Sequence, residues 1–595
     1  MLGVAATALL ALVPSFARAS PGSALKARHL TEVDELKDAY DYIIIGGGTA
    51  GLTVADRLSE SGDYDVLVIE HGYLYNASDP GDNRGSRQYN MTSVPQTYMN
   101  DRVVPFGMGF CVGGSSAING MAVMRGTKAD YDIWAALGKE DSTWDWDGML
   151  PYYKKALHFT PPDEDFAEDY NVTYDIEVWG QDEDTHLYSS FPGGMNPRIT
   201  SETIYEALGT IPGVEYPLDG NAGTHGVFWY PLTVDPETRQ RSYSRTAHWD
   251  DLERDNYDLL TGCRANEILL DEDNVATGVR FVPRGSDESY EVDVMKEVVL
   301  SAGAIHTPQV LQLSGIGPAA WLEAAGVDVK VDLPGVGANF QDHPIGPSIS
   351  FRWGKDPPVP ESTSNYSAGP GGQGLVAFLS LPVVSPDDYE AIAERYESLD
   401  LSEYVDEDTS EEVLAGYEAQ RDLYAKAMRE NDLTFFNYII GPFPGGSPIN
   451  LHVTSRGAIR LNETDPQADP VVDYRALSIP TDVDLMVAYL KFFRTLFTTG
   501  RLESYNATET RPGADADLEE YIRETYNPQG WHPVGTAAKM RRELGGVVDD
   551  RLRVYGVEGL RVADASIMPT LIGGTTQFTA YAIGEKAADM IKETW

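Results

Sequence analysis

Cysteine is scarce: the chain has two, Cys111 and Cys263, in 595 residues. That excludes a disulfide-stapled scaffold and any Cys-rich zinc or iron–sulfur site. The two could pair, but two buried free thiols is the simpler reading. Basic residues are also few. Lys and Arg number 45 against 92 Asp and Glu, a net charge of −47. Such a polyanion is repelled by nucleic acid and by anionic membranes, so neither is expected as a partner. Long hydrophobic runs are lacking as well. The one clear run, Leu2 to Val13, is too short to span a bilayer and precedes Ala17-Arg18-Ala19, a small-x-small cleavage site. Residues 1–19 therefore read as a signal peptide. No His, Asp or Glu cluster has metal-ligand spacing, so no metal is expected, and no Gly-x-Ser-x-Gly elbow is found.

What is present suits a packed, secreted protein. Hydrophobic residues make up 42% and charged residues 23%, ordinary for a globular chain, and the length suits two or three domains or one large domain with insertions. Six Asn-x-Ser/Thr sequons follow the leader, at Asn76, Asn90, Asn171, Asn365, Asn462 and Asn506. Together with the leader they predict a secreted, extracellular glycoprotein carrying N-glycans. The acidic composition suits an acidic medium, where part of the carboxylate charge is titrated away.

Chemistry begins early in the chain. Tyr42-Ile43-Ile44-Ile45 is a continuous apolar run, the pattern of a parallel strand covered on both faces. Gly46-Gly47-Gly48-Thr49-Ala50-Gly51 follows, then a helical pattern through Leu52, Val54, Ala55 and Leu58. A second strand, Val66-Leu67-Val68-Ile69, ends at Glu70. This is a dinucleotide fingerprint in its proper context. Gly46 permits the tight turn, Gly48 lets the backbone approach a pyrophosphate, and Gly51 lets helix pack on strand. The helix start at Thr49 and Ala50 faces the phosphates. Glu70 is placed to accept hydrogen bonds from ribose hydroxyls. The pattern does not separate FAD from NAD.

Later motifs do. Gly113-Gly114-Ser115-Ser116-Ala117-Ile118-Asn119 forms a second glycine turn, with Gly120 after it. Gly303-Ala304-Ile305-His306-Thr307-Pro308-Gln309 continues to Gly317. Further along come Asn339-Phe340-Gln341-Asp342-His343, Trp531-His532-Pro533-Val534-Gly535-Thr536 and Ala563-Asp564-Ala565-Ser566. In these motifs and in their order the chain resembles the glucose–methanol–choline (GMC) family of FAD oxidoreductases. The resemblance implies an α/β fold: a discontinuous, Rossmann-like FAD-binding domain interleaved with an α+β substrate domain built on an antiparallel sheet. The FAD-binding parts are expected at 36–149, 245–345 and 535–595, the substrate parts at 150–244 and 346–534. The acidic segment 385–430 reads as a solvated helical insertion.

The resemblance also makes FAD the cofactor. Ser116, Asn119 and Gln577 would lie beside the flavin with Gly114 and Gly120, and the Asp564 loop would close over it. His532 falls where the family places its catalytic base, and an imidazole suits removal of a hydroxyl proton near neutral pH. Trp531 would wall the substrate. His306 and His343 read as structural or cofactor-adjacent. Four positions depart from the pattern. Thr575 stands at the second catalytic position, usually His or Asn, and can hydrogen-bond a substrate oxygen but not act as acid or base. Phe110 and Lys539 replace a basic residue and a Met. Ile118 replaces the histidine that links flavin in some members, so FAD is expected without that covalent bond. The expected activity is oxidation of a small-molecule alcohol by hydride transfer to flavin N5, followed by reoxidation by oxygen or a quinone-type acceptor. The alternative is an FAD-containing cyclase or lyase of secondary metabolism without net redox turnover.

Overall fold

The computed structural model describes residues 26–75, 84–182, 184–191, 199–355, 374–441 and 443–595. The expected signal peptide and the sequons at Asn76 and Asn365 lie outside the described residues.

One eight-stranded sheet gathers segments from far apart in the chain. Its strands are β1 (Arg28–Leu30), β2 (Ala39–Ile45), β3 (Val66–Glu70), β4 (Tyr257–Thr261), β5 (Cys263–Leu270), β6 (Ala276–Pro283), β7 (Tyr290–Leu300) and β8 (Leu560–Val562). Their order is β1-β4-β3-β2-β7-β6-β5, and β8 pairs with β7. The strands β1, β4, β3, β2, β7 and β8 run parallel, while β5 and β6 add an antiparallel hairpin to β7. Ile43 and Ile44 are fully buried, as are Val66, Leu67 and Val68. A parallel sheet is covered on both faces, which is why these strands read as unbroken apolar runs. Strand β1 lies ahead of the expected start of the FAD-binding part at residue 36, and there Arg28 Nε donates to Asp258 at 2.7 Å.

Helix α1 (Thr49–Ser59) packs against the C-terminal helix α3 (Thr576–Lys592). The approach is close enough that a Cβ on Gly584 would lie 2.9 Å from Thr53 Cβ. Arg57 Nε donates to both carboxylate oxygens of Glu585 at 2.9 Å. A third helix, α2 (Gly303–Leu313), follows β7.

A separate four-stranded antiparallel sheet joins Ile449–Asn450, Phe436–Ile440, Leu375–Leu379 and Gly226–Trp229. The acidic segment forms helices Tyr389–Glu397 and Glu411–Ala427, as the spacing predicts. They are not simply solvated. Ile392, Ala393, Tyr396, Tyr424 and Ala425 are buried in the core beside this sheet. The charges occupy one face of each helix, and burial of the other provides the stabilisation. Cys111 and Cys263 form no disulfide with each other, and both are buried. Among the described residues no helix is long and apolar enough to cross a membrane.

Candidate active site

Four parallel strands end at one crevice. Gly46 follows β2, Glu70 closes β3, Ser301 follows β7 and Ala563 follows β8. Short bonds join these ends. Gly46 N donates to Ile69 O at 2.9 Å, Ser301 N to Ile45 O at 2.8 Å, and Ser301 Oγ to Ala563 O at 2.8 Å. Ligands of open parallel sheets bind in such a crevice at the carboxyl ends of the strands.

The sequence-chosen residues meet there. Gly46 has φ +104°, and its turn delivers Gly48 as the cap of α1. No side chain caps that helix, so the amides of Thr49, Ala50 and Gly51 have no intrahelical partner. The second glycine turn faces the first: a Cβ on Gly114 (φ +51°) would lie 2.8 Å from Gly48 Cα. Gly113 N donates to Gly47 O at 2.8 Å. Glu70 accepts Gly47 N on one oxygen at 2.8 Å and Gly72 N on the other at 2.6 Å. Burial pushes its carboxyl up to about 7 against these two donors. Ser116 Oγ contacts Gly113 O at 2.5 Å and Ser244 Oγ at 2.9 Å. Asn119 Nδ2 donates to Gln577 Oε1, and Asn119 Oδ1 accepts from Arg241 Nη1 at 2.7 Å. Gly120 has open space where a Cβ would stand. Asp564 accepts Gly303 N at 2.8 Å, Thr307 Oγ1 at 2.6 Å and Ser566 N at 2.7 Å. It fastens the start of α2 to the loop after β8. Burial raises its carboxyl as well.

His532 enters on a loop tied to the same crevice. Gln341 and Val534 exchange backbone bonds at 3.1 and 2.9 Å. Thr536 Oγ1 donates to Ala304 O at 2.6 Å. Asp342, buried, accepts Gly530 N at 3.1 Å and His532 N at 2.8 Å. The adjacent Trp531 takes φ +62° and is 57% exposed. His532 itself is half-buried, and its Nδ1 lies 3.0 Å from Nδ1 of His343. Thr575 stands at the N-cap position of α3 without a side-chain capping bond, and its hydroxyl donates to Ala122 O at 3.0 Å.

The N-terminal GMC oxidoreductase model matches residues 40–345 and the C-terminal model residues 453–584. The chain belongs to the GMC oxidoreductase family. It is similar to the dehydrogenase xptC of Emericella nidulans, 35% identical over 96% of each chain. It is similar also to patulin synthase of Aspergillus clavatus, 31% identical over 92% of this chain and 91% of that one. Among solved structures, a fungal aryl-alcohol oxidase superposes with a TM-score of 0.86 at 35% identity, covering 94% of this chain and all of that one. A GMC oxidoreductase is a flavoprotein, and FAD is the cofactor here. The residues present fit it. A Cβ on Gly48 would meet nothing nearer than Gly114 Cα at 4.0 Å, so the two glycine turns leave a gap lined by uncapped amides, the chemistry that holds a pyrophosphate.

The departures from the family pattern find places. Phe110 packs against Tyr89 with ring centroids 4.2 Å apart and planes tilted by 41°, and the Arg284 guanidinium lies 4.5 Å from its ring centre. Lys539 is buried, donating to Trp134 O at 2.9 Å and Asp550 Oδ1 at 3.2 Å. Burial pushes its ammonium down to about 8 against the Asp550 charge. Ile118 is largely buried beside the second glycine turn. Sequence reasoning overlooked the specific work of Asp342, Arg241 and Ser244. Asp342 and His343 sit inside a quoted motif, but nothing in the motif says what they touch.

Two expectations follow from this geometry. Burial pushes the His532 imidazole down from 6.5 to about 4. A proton acceptor must be neutral, so flavin reduction should stay flat from pH 8 to about 5. It should fall roughly tenfold per unit below about 4. Stopped-flow reduction across pH 3.5–8 checks this, and a fall centred on 6.5 contradicts it. The second concerns Thr575, whose proton is committed to Ala122. Thr575→Val keeps the volume and leaves that carbonyl unpaired. The change should cost about 1–3 kcal/mol of stability, read from chemical denaturation, and slow flavin reduction far less than loss of His532.

Proposed function

We propose that the protein is a secreted FAD-dependent alcohol oxidase or dehydrogenase acting on CH–OH donors, with His532 as the base. The observation that carries this reading is the convergence of an uncapped dinucleotide crevice and a neutral, half-buried imidazole on one tied framework. Bound FAD supplies a two-electron hydride acceptor at flavin N5. His532 removes the hydroxyl proton, Asp342 holds the loop that presents it, and Trp531 covers its outer side. Thr575 shapes the opposite wall; its oxygen can accept from a substrate hydroxyl while its proton stays on Ala122. Reoxidation is by oxygen or a quinone-type acceptor. The similarity to an aryl-alcohol oxidase and to dehydrogenases such as xptC supports an alcohol donor.

The domain division belongs to the same proposal. Segments 36–149, 245–345 and 535–595 hold the cofactor, and 150–244 with 346–534 shape the substrate space. The distribution of strands between the two main sheets supports it. Secretion and N-glycans rest on the leader and the sequons. Asn90 and Asn171 are exposed and open to glycosylation.

The test is anaerobic titration of the purified yellow protein with aryl, allylic and aliphatic primary alcohols, followed by flavin absorbance. Bleaching by at least one class supports the reading. An FAD-loaded protein that no alcohol bleaches, yet dithionite does, sinks it and favours a non-redox cyclase or lyase.

A further inference from the structure

His343 is buried, at 1% exposure. Its surroundings settle where its proton sits. Nε2 lies 3.0 Å from Ile572 O and 3.2 Å from Leu451 O. Both are carbonyl oxygens, which only accept, so Nε2 carries the hydrogen. Burial, reinforced by the nearby imidazoles of His532 and His452, holds the ring neutral. A neutral imidazole has one N–H, so Nδ1 of His343 is a bare acceptor. The atom it faces is His532 Nδ1 at 3.0 Å. His532 must then donate from Nδ1, which leaves its Nε2 with a free lone pair.

We propose that His343 is a positioning residue that fixes His532 in its Nδ1–H tautomer, so that Nε2 is the atom that receives the substrate's hydroxyl proton. The inference rests on the proposed role of His532 as base. Two neighbours divide the task. Asp342 holds the loop backbone through Gly530 N and His532 N, and His343 sets the ring. His343 also bonds Ile572 O, three residues before Thr575 in the chain. No carboxylate is within hydrogen-bond distance of either ring among the described residues. The orienting partner is neutral, unlike the aspartate of a serine-protease triad, where the wrong tautomer costs about 10⁴-fold. A neutral acceptor steers the tautomer without raising the basicity of His532, in keeping with its low pKa.

The experiment labels histidine with ¹³C and ¹⁵N in the FAD-loaded protein. The His532 ring signals are assigned by their loss in His532→Ala, and those of His343 by their loss in its own variants. Ring shifts report the tautomer directly. The expected result is Nδ1–H at His532 and Nε2–H at His343. In His343→Leu, which removes the acceptor, His532 should shift toward Nε2–H, and alcohol-driven flavin reduction should slow by on the order of 10- to 100-fold. The alcohol is whichever one bleaches the wild type. His343→Gln offers an amide oxygen to His532 and an amide N–H to Ile572, so it should keep Nδ1–H and recover most of the rate. Adding His343→Leu to His532→Ala should cost nothing further, because the first residue acts only through the second. An Nε2–H tautomer at His532 in the wild type overturns the proposal, as does an unchanged tautomer in His343→Leu. Should His343→Leu fail to fold, the wild-type tautomer and His343→Gln decide. If His532→Ala reduces flavin at the normal rate, the base assignment falls while the tautomer measurement stands on its own.

Discussion

His532→Ala is expected to lower the limiting rate of flavin reduction by about 10²–10⁴-fold while the protein stays yellow. That range is typical of removing a group that takes a proton in the transition state. Cofactor retention follows from the geometry. The crevice is built from Gly46, Gly48, Glu70, Gly114 and Asp564, and the bonds described at these residues do not involve the His532 side chain. The loop backbone should persist too, because Asp342 accepts the His532 main-chain N–H, which alanine retains. Stopped-flow reduction under anaerobic conditions, with FAD content measured by denaturation, checks both halves. A normal rate would mean that another group takes the proton. A colourless variant would mean that the histidine supports the cofactor rather than the chemistry.

The second large effect separates two glycines that a motif treats alike. A Cβ on Gly51 would lie 2.0 Å from Gly46 O and 3.1 Å from Ser301 Cβ. Backbone oxygen cannot retreat there without pushing α1 off the end of β2. Gly51→Ala should destabilise the protein by about 1–3 kcal/mol or more, the usual range for overpacking. Little FAD should be bound by whatever folds. Gly48 has φ −90°, which alanine adopts freely, and its Cβ would have room. Gly48→Ala should therefore fold with near-normal stability and bind FAD roughly 10- to 100-fold more weakly. The added methyl stands in the gap the pyrophosphate must cross, and each 1.4 kcal/mol of clash is tenfold in affinity. Denaturant midpoints and FAD titration of the apoproteins distinguish them. Equal loss of stability in both variants would contradict this division of roles.

Much of the cofactor half was legible in the sequence because its information is local. An unbroken Ile43–Ile45 run, three glycines at fixed offsets and a carboxylate ending the next strand occupy fewer than thirty consecutive residues, and β2, α1 and β3 form where that pattern places them. The antiparallel sheet was harder to place. Its strands come from residues 226–229, 375–379, 436–440 and 449–450, short pieces whose pairing is decided across long loops. The acidic helices were legible as helices but not as core, since their buried face becomes evident only when a partner surface exists.

The composition-level character, the dinucleotide turn and the family motifs can be read from the residues of the chain alone. Glycine geometry and strand periodicity are set by residues close together in the chain. Tertiary structure decided the chemistry of the candidate site. The location of a proton depends on which atoms face a ring, and His532 and His343 are 189 residues apart. The commitment of the Thr575 hydroxyl to Ala122, 453 residues away, is of the same kind. So is the depressed pKa of His532, because desolvation belongs to the packed surroundings and not to the imidazole.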